Sequence, residues 1–171
     1  MTQEVRVMVG IPASGKSTWI KNEVARLEEE HKTVGVISRD VVRFSMLNDN
    51  EDYFAHEDEV FEEFVRQVNE CMEIGIDVVF VDATHISSGS RFKLLSRLKP
   101  DPNTHLVFEV MDTPLEICLE HNEKREGRAK VPEKALRRMA KGVHFPKFTE
   151  FPHFYGFKDI SINTYRTRLN K

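Results

Sequence analysis

Only two cysteines, Cys71 and Cys118, stand in 171 residues. They are far apart and lack the paired spacing of a metal site, so a disulfide framework is excluded and reduced thiols in a cytoplasmic setting are expected. No run of 18 apolar residues occurs, and the first residues lack the basic start and apolar middle of a leader, so neither a membrane span nor a signal peptide is expected. Repeats, low-complexity tracts and linkers are also missing, which leaves residues 1–171 as one domain. Between Ser45 and Val65 there are eight acids and no Lys or Arg. From His121 to Glu150 the balance reverses, with nine basic residues against four acids. The acidic stretch reads as a solvated face, and the basic one as either a solvated face or a surface that meets phosphates. A net charge of −3 argues against a protein that coats nucleic acid nonspecifically.

What is present is an alternation of apolar runs and helical patterns. "EVRVMV" (4–9), "TVGVIS" (33–38), "DVVFVD" (77–82), "HLVFEVM" (105–111) and "FKDISI" (157–162) predict five strands. Several are apolar on both faces, as a buried parallel sheet requires. Helices are expected over 16–31, 40–48, 57–75, 89–98, 114–125 and 132–141. Thr113 is the expected N-cap of the fifth, with Pro114 at its first position and Glu116 as the reciprocal capping residue. Pro132 could open the sixth in the same way. The resulting fold class is α/β, a doubly wound five-stranded parallel sheet flanked by helices. Phenylalanines at 145, 148, 151, 154 and 157 suggest an irregular segment laying rings over the core, with base stacking as the alternative.

"GIPASGKST" follows the first strand and opens the first helix. Gly10, Gly15, Lys16 and Ser17 satisfy G-x-x-x-x-G-K-[ST], the P-loop pattern. The glycines let backbone N–H groups turn onto phosphate oxygens, and the helix adds its positive end. Lys16 is expected at the β- and γ-phosphates and the Ser17 hydroxyl at Mg²⁺, with Ser14 and Thr18 completing the nucleotide site. Asp82 ends the third strand, where an acid of a phosphate-loop fold approaches the metal through water; the alternative is a simple turn former. Thr84 and His85 follow it into the crevice beyond the strand ends. His85 could touch substrate or be an internally satisfied loop histidine.

"SRDVVRF" follows the second strand and puts Ser38, Arg39 and Asp40 at the same sheet edge. Asp40 and Arg43, three apart, share a helix face. An acid there could orient and deprotonate an acceptor hydroxyl, and the arginine could hold an anionic group of the acceptor. Alternatively, Ser38 or Asp40 merely caps the helix. "HNEKREGRAKVP" (121–132) is a basic link with Gly127 as hinge, either a lid over the transferring group or a solvated helix end. Arg125 is its leading cation, with Arg128 and Lys130 behind it.

Taken together, "GIPASGKSTWI", "SRDVVRFSM", "VVFVDATHIS" and "DTPLEICLEHNEKREGRAKVPEKALRRM" resemble the kinase domain of the bacteriophage polynucleotide kinase-phosphatase family, in order and over most of residues 5–140. The resemblance implies transfer of the ATP γ-phosphate to 5′-hydroxyl ends of DNA or RNA, in nucleic-acid repair. By motif, Asp40 would be general base, and Arg43 would contact the phosphate on the 3′ side of the acceptor nucleotide. Lys16, Arg125 and Arg128 would hold donor phosphates and Ser17 the metal, while Asp82 and Thr84 would line the acceptor or metal side. Ala13 stands where such loops often carry glycine, and the stretch from Arg125 to Val131 is a residue longer than the family pattern. No D-x-D-G motif occurs, so phosphatase activity is not expected from this chain. Two other functions fit parts of the pattern: a small-molecule kinase of the same fold, and an ATP-binding switch without transfer.

Overall fold

Central strands buried on both faces build the core. The computed structural model describes residues 2–169. Its strands are β1 (Glu4–Val9), β2 (Val34–Ser38), β3 (Val78–Asp82), β4 (His105–Asp112) and β5 (Asp159–Arg166). They form one sheet in the order β2-β3-β1-β4-β5, with every pairing parallel. Helices α1 (Lys16–Glu29), α2 (Arg39–Met46), α3 (Glu57–Glu73), α4 (Ser88–Leu95), α5 (Leu115–Glu123) and α6 (Glu133–Lys141) connect them, with short 3₁₀ turns at Gly127–Ala129 and Phe148–Glu150. No helix among the described residues is long and apolar enough to cross a membrane.

One sheet face presents Val5, Val7, Val9, Val79, Val81, Leu106, Phe108 and Val110 to Phe61, Phe64, Val65 and Val68 of α3 and Leu94 and Leu95 of α4. The other presents Met8, Val78, Phe80 and Met111 to Ile20 and Leu27 of α1. The two-residue period of a strand sends neighbouring side chains to opposite layers, which is why these strands read as continuous apolar runs.

Helix ends shift by one to three residues from the sequence expectation, and three further departures have a physical reason. β5 begins and ends later than 157–162, running through the polar Asn163–Arg166. An edge strand buries only part of its surface, so backbone pairing with β4, not hydropathy, carries it outward. Thr113 does not cap α5: the N-cap position is Pro114, with no side-chain capping bond, and Thr113 Oγ1 instead donates to the Ser14 carbonyl at 2.7 Å. Of the five spaced phenylalanines, only Phe151 and Phe157 are buried; Phe151 stacks on Phe108 with centroids 5.0 Å apart. Phe148 and Phe154 are exposed because the segment turns twice instead of keeping one face inward.

The C-terminal stretch contributes Phe151, Phe157 and Ile160 to the same core. Arg91 is fully buried and makes a bidentate pair with Glu150 (2.7 and 2.9 Å), while its Nη1 donates to the His85 carbonyl at 2.6 Å. The C-terminal segment is thereby tied to the crevice beyond β3.

Candidate active site

β1, β3 and β2 lie side by side, so their C-terminal ends place three chain segments along one edge, where open α/β sheets hold ligands. These are the loop after Val9, the Asp82–His85 turn, and the start of α2. With the link between α5 and α6 they line a cleft of about 1040 Å³.

The loop has the shape of a phosphate cradle. Gly15 adopts φ 98° at the N-cap of α1, a left-handed conformation open to glycine. At Gly10 a Cβ would come within 2.6 Å of Ser14 Oγ, so the loop closes only around a residue without one. Ala13 is also left-handed (φ 64°), which fits a position where similar loops carry glycine. Two residues that sequence reading did not associate with the loop brace it: Thr113 on the Ser14 carbonyl, and His121 on the Ala13 carbonyl at 3.2 Å. Ser14 Oγ is buried with no hydrogen-bond partner among the described residues, an orphan that phosphate oxygens would satisfy. Lys16 Nζ donates to the Gly10 and Ile11 carbonyls (2.8 and 2.9 Å). Burial pushes this ammonium down to about 8, opposed by the negative charges of Asp82 and Asp40 and reinforced by Arg125.

Asp82 sits across from Lys16, and burial raises it above the usual carboxylate range against the pull of that lysine. Ser17, at the helix start, and Asp82 offer oxygen donors suited to Mg²⁺, which takes few protein ligands and fills its shell with phosphate and water. Among the described residues no cluster of three or more His, Cys, Asp or Glu exists that would hold a metal by itself. Thr84 lines the same cleft. His85 is internal: it is buried, its Nδ1 lies 2.8 Å from the Met8 carbonyl, and burial lowers it to about 4, so it stays neutral.

Ser38 caps α2, accepting from the Val41 N–H at 3.3 Å, which leaves Asp40 uncommitted to the cap. The Asp40 side chain is 60% exposed in the cleft. Its Oδ1 takes a bond from Arg43 Nη1 and one from the Tyr53 hydroxyl at 2.7 Å, leaving Oδ2 for an incoming group. Arg43 is buried and nearly saturated. Its Nε and Nη2 fork onto Glu57 (2.8 and 3.2 Å), Nη1 bonds Asp40 and the Tyr53 oxygen, and the guanidinium stacks 4.2 Å over the Tyr53 ring. Although burial disfavours its charge, the bonds to Glu57 hold Arg43 firmly protonated. Thus the structure brings Arg43 to Asp40, but as part of an internal clamp and not as an open anion ligand. Tyr53 and Glu57 were absent from the sequence reading, lying in the stretch read as a solvated acidic face.

The cations of the link between α5 and α6 divide. Arg125 Nη1 reaches the Ala129 carbonyl at 3.2 Å, and its charge is felt by both Lys16 and Asp82. Arg128 crosses the cleft to the Asn48 carbonyl at 3.1 Å, with Asp49 at 4.0 Å. Lys130 pairs with Glu123 at 3.1 Å, within the link.

A family model described as an AAA domain matches residues 5–146. The chain belongs to the AAA-domain family. Its fold is that of the P-loop kinases, a five-stranded parallel sheet flanked by helices. Over 163 residues it is 26% identical to an L-seryl-tRNA(Sec) kinase of Methanococcus maripaludis, covering 92% of this chain and 58% of that protein's length. It superposes with a TM-score of 0.67 and 21% identity on a chain of the Pnkp1/Rnl/Hen1 RNA repair complex, covering 82% of this AAA-domain chain and 44% of the other. Against Kti12 of Chaetomium thermophilum, solved with ADP-AlF3, the TM-score is 0.64 at 18% identity, covering 94% and 89%.

Proposed function

We propose that the protein is an ATP-dependent polynucleotide 5′-hydroxyl kinase, acting on ends of DNA or RNA in the cytoplasm as part of nucleic-acid repair. The observation that carries the reading is Asp40: an exposed carboxylate with one free oxygen, in the same cleft as the phosphate loop and close enough for Lys16 to feel its charge. A switch that only binds nucleotide needs no such base.

The loop N–H groups and Lys16 would bind the triphosphate, the lysine leaving its two carbonyls for phosphate oxygens. Mg²⁺ bound near Ser17 and Asp82 would neutralise charge on the phosphates. Asp40 Oδ2 orients the acceptor hydroxyl and takes its proton as that oxygen attacks the γ-phosphorus in line. The bond to the β-phosphate oxygen breaks, ADP leaves, and Arg125 meets the charge of the transferring group. Two of the similar proteins carry RNA in their names, the seryl-tRNA kinase and the RNA repair complex, which favours a nucleic-acid acceptor.

One observation favours a second reading, a small-molecule kinase. Asp49, Glu51 and Asp52 line the cleft and would repel a polyanion on that side. The experiment is transfer of labelled γ-phosphate, with ATP and Mg²⁺, to a 5′-hydroxyl oligonucleotide. Transfer that drops at least ~10²-fold in Asp40→Asn, with ATP binding intact, supports the kinase. No transfer to the oligonucleotide, with robust transfer to a metabolite, overturns the nucleic-acid acceptor.

A further inference from the structure

The spaced phenylalanines put Phe151 and Phe157 into the core and leave the others outward, where α4 adds a further ring. α4, with the turn after it, and the chain from His144 to Gly156 run side by side in the same direction. Four ties hold them together. The His144 N–H donates to the Ile86 carbonyl at 2.8 Å, and Arg91 pairs with Glu150. The Phe92 and Tyr155 rings meet edge to face with centroids 6.2 Å apart, and Gly156 abuts Pro100. The ledge so formed carries Phe92 (60% exposed), Phe148 (63%) and Phe154 (49%). Large rings gathered in water on one feature mark a surface with a partner.

The charge of the ledge has one sign. From Ile86 to Pro100 there are four Lys or Arg and no acid, and from Lys141 to Lys158 there are three lysines and one acid, Glu150. Glu150 is spent on Arg91, and Arg97 is spent on Glu62. Lys99, Lys147 and Lys158 are exposed and make no ion pair among the described residues. A protein surface could cover the rings, but unneutralised lysines beside them suit a polyanion. A single-stranded polynucleotide offers both complements, a π face on every base and a line of negative charge. The ledge also adjoins the cleft: Ser90, Lys93 and Leu94 of α4 line it, beside the exposed Phe92. The segment between α2 and α3 lines the same cleft with Asp49, Glu51 and Asp52, which turn a polyanion away.

We infer that the ledge is a platform for single-stranded nucleic acid: bases of a strand whose 5′-hydroxyl end occupies the cleft stack on Phe92, Phe148 and Phe154, with Lys99, Lys147 and Lys158 along its phosphates. Its role rests on the polynucleotide kinase reading of the cleft and adds the form of the substrate, a single-stranded tail of several nucleotides. Such a platform makes the enzyme favour long single strands over mononucleotides.

The test measures transfer and binding separately. Its acceptors are a 5′-hydroxyl single strand of about ten nucleotides, the same strand with abasic sites beyond its first few residues, and a nucleoside 3′-monophosphate. Phe148→Leu and Phe154→Leu keep apolar surface and remove the π face. Each should raise KM for the long strand about tenfold, with KM for the mononucleotide and for ATP unchanged. Phe148→Tyr should keep the wild-type KM. The abasic strand should bind wild type more weakly than the intact one and be insensitive to the leucine variants. Lys147→Glu should weaken strand binding, read by anisotropy without ATP, and flatten its salt dependence. An active wild type with equal KM for the long strand and the mononucleotide overturns the platform and leaves the kinase reading in place. Leucine variants that change self-association but not strand binding give the ledge to a protein partner and overturn the platform as well. A wild type that binds the strand through these rings, yet transfers to no 5′-hydroxyl acceptor, upholds the platform and overturns the kinase reading.

Discussion

The Tyr53 hydroxyl donates to Asp40 Oδ1 at 2.7 Å while accepting from Arg43 Nη1 at 2.6 Å. One phenol thus bridges the proposed base and the arginine beside it. Burial and the bond to the Asp40 carboxylate raise Tyr53 above the usual phenol range, so the hydroxyl keeps its proton and stays a donor. The arrangement fixes which carboxylate oxygen faces the acceptor.

Tyr53→Phe removes that bond while keeping the ring over Arg43. With Asp40 less firmly oriented, kcat should fall by about 10- to 100-fold, since a hydrogen bond to a charged group is worth about 1.5–3 kcal/mol. ATP affinity should not change, because Tyr53 belongs to the acceptor side. Steady-state kinetics beside a nucleotide titration separates the two; an unchanged kcat removes Tyr53 from the positioning of Asp40.

Lys16 predicts a pH signature of nucleotide binding. Its ammonium is pushed from an ordinary value near 10.5 down to about 8 by burial. The free protein therefore loses this proton as pH rises through about 8, whereas a bound triphosphate favours the charged form and restores it. ATP binding should take up close to one proton at about pH 9 and almost none at about pH 7. Calorimetry in buffers of different ionisation enthalpy reads this directly, and apparent affinity should weaken above pH 8. Binding at pH 9 without proton uptake would contradict the buried position of Lys16.

The loop and most elements were legible because their signals are local. Glycines at fixed offsets mark the cradle, and apolar runs mark strands. Asp82 was legible because it ends a strand, and Asp40 because it opens the helix that follows a strand ending at the same edge. Tyr53 was not: it sits between α2 and α3 in a segment without periodicity, and only the folded chain brings it back to Asp40. Thr113 carried a correct local cue for a cap, but its hydroxyl had a better partner 99 residues away, the Ser14 carbonyl. Arg43 forks onto Glu57 while Arg39 reaches it with a single bond, a difference set by where Glu57 lies, which no spacing rule encodes.

Arg125 is the cation of the α5–α6 link whose charge reaches Lys16 and Asp82. Arg125→Ala should reduce kcat by about 10²-fold, the usual loss on removing one donor that meets transition-state charge. Because its positive charge also lowers Lys16, the same substitution should move the onset of proton uptake on ATP binding to higher pH. Loss of turnover without that displacement would place Arg125 on the acceptor and not on the donor phosphates.

Glu150 lies far from the loop in sequence, yet its removal should be among the most damaging single changes. Arg91 is fully buried, and Glu150 is its only carboxylate partner among the described residues. Glu150→Ala leaves an uncompensated interior charge, at a cost of about 3 kcal/mol. For a domain of this size that corresponds to a fall of about 10 °C in Tm. Replacing both partners, Arg91→Met with Glu150→Leu, should recover most of the stability, since a buried pair swapped for apolar groups is often neutral. The double variant also removes the bond from Arg91 to the His85 carbonyl. If that bond shapes the crevice, the stable double variant should still show weakened ATP binding, separating the effect on the site from the effect on folding. An unchanged melting temperature in Glu150→Ala would mean that the pair contributes nothing to tying the C-terminal segment down.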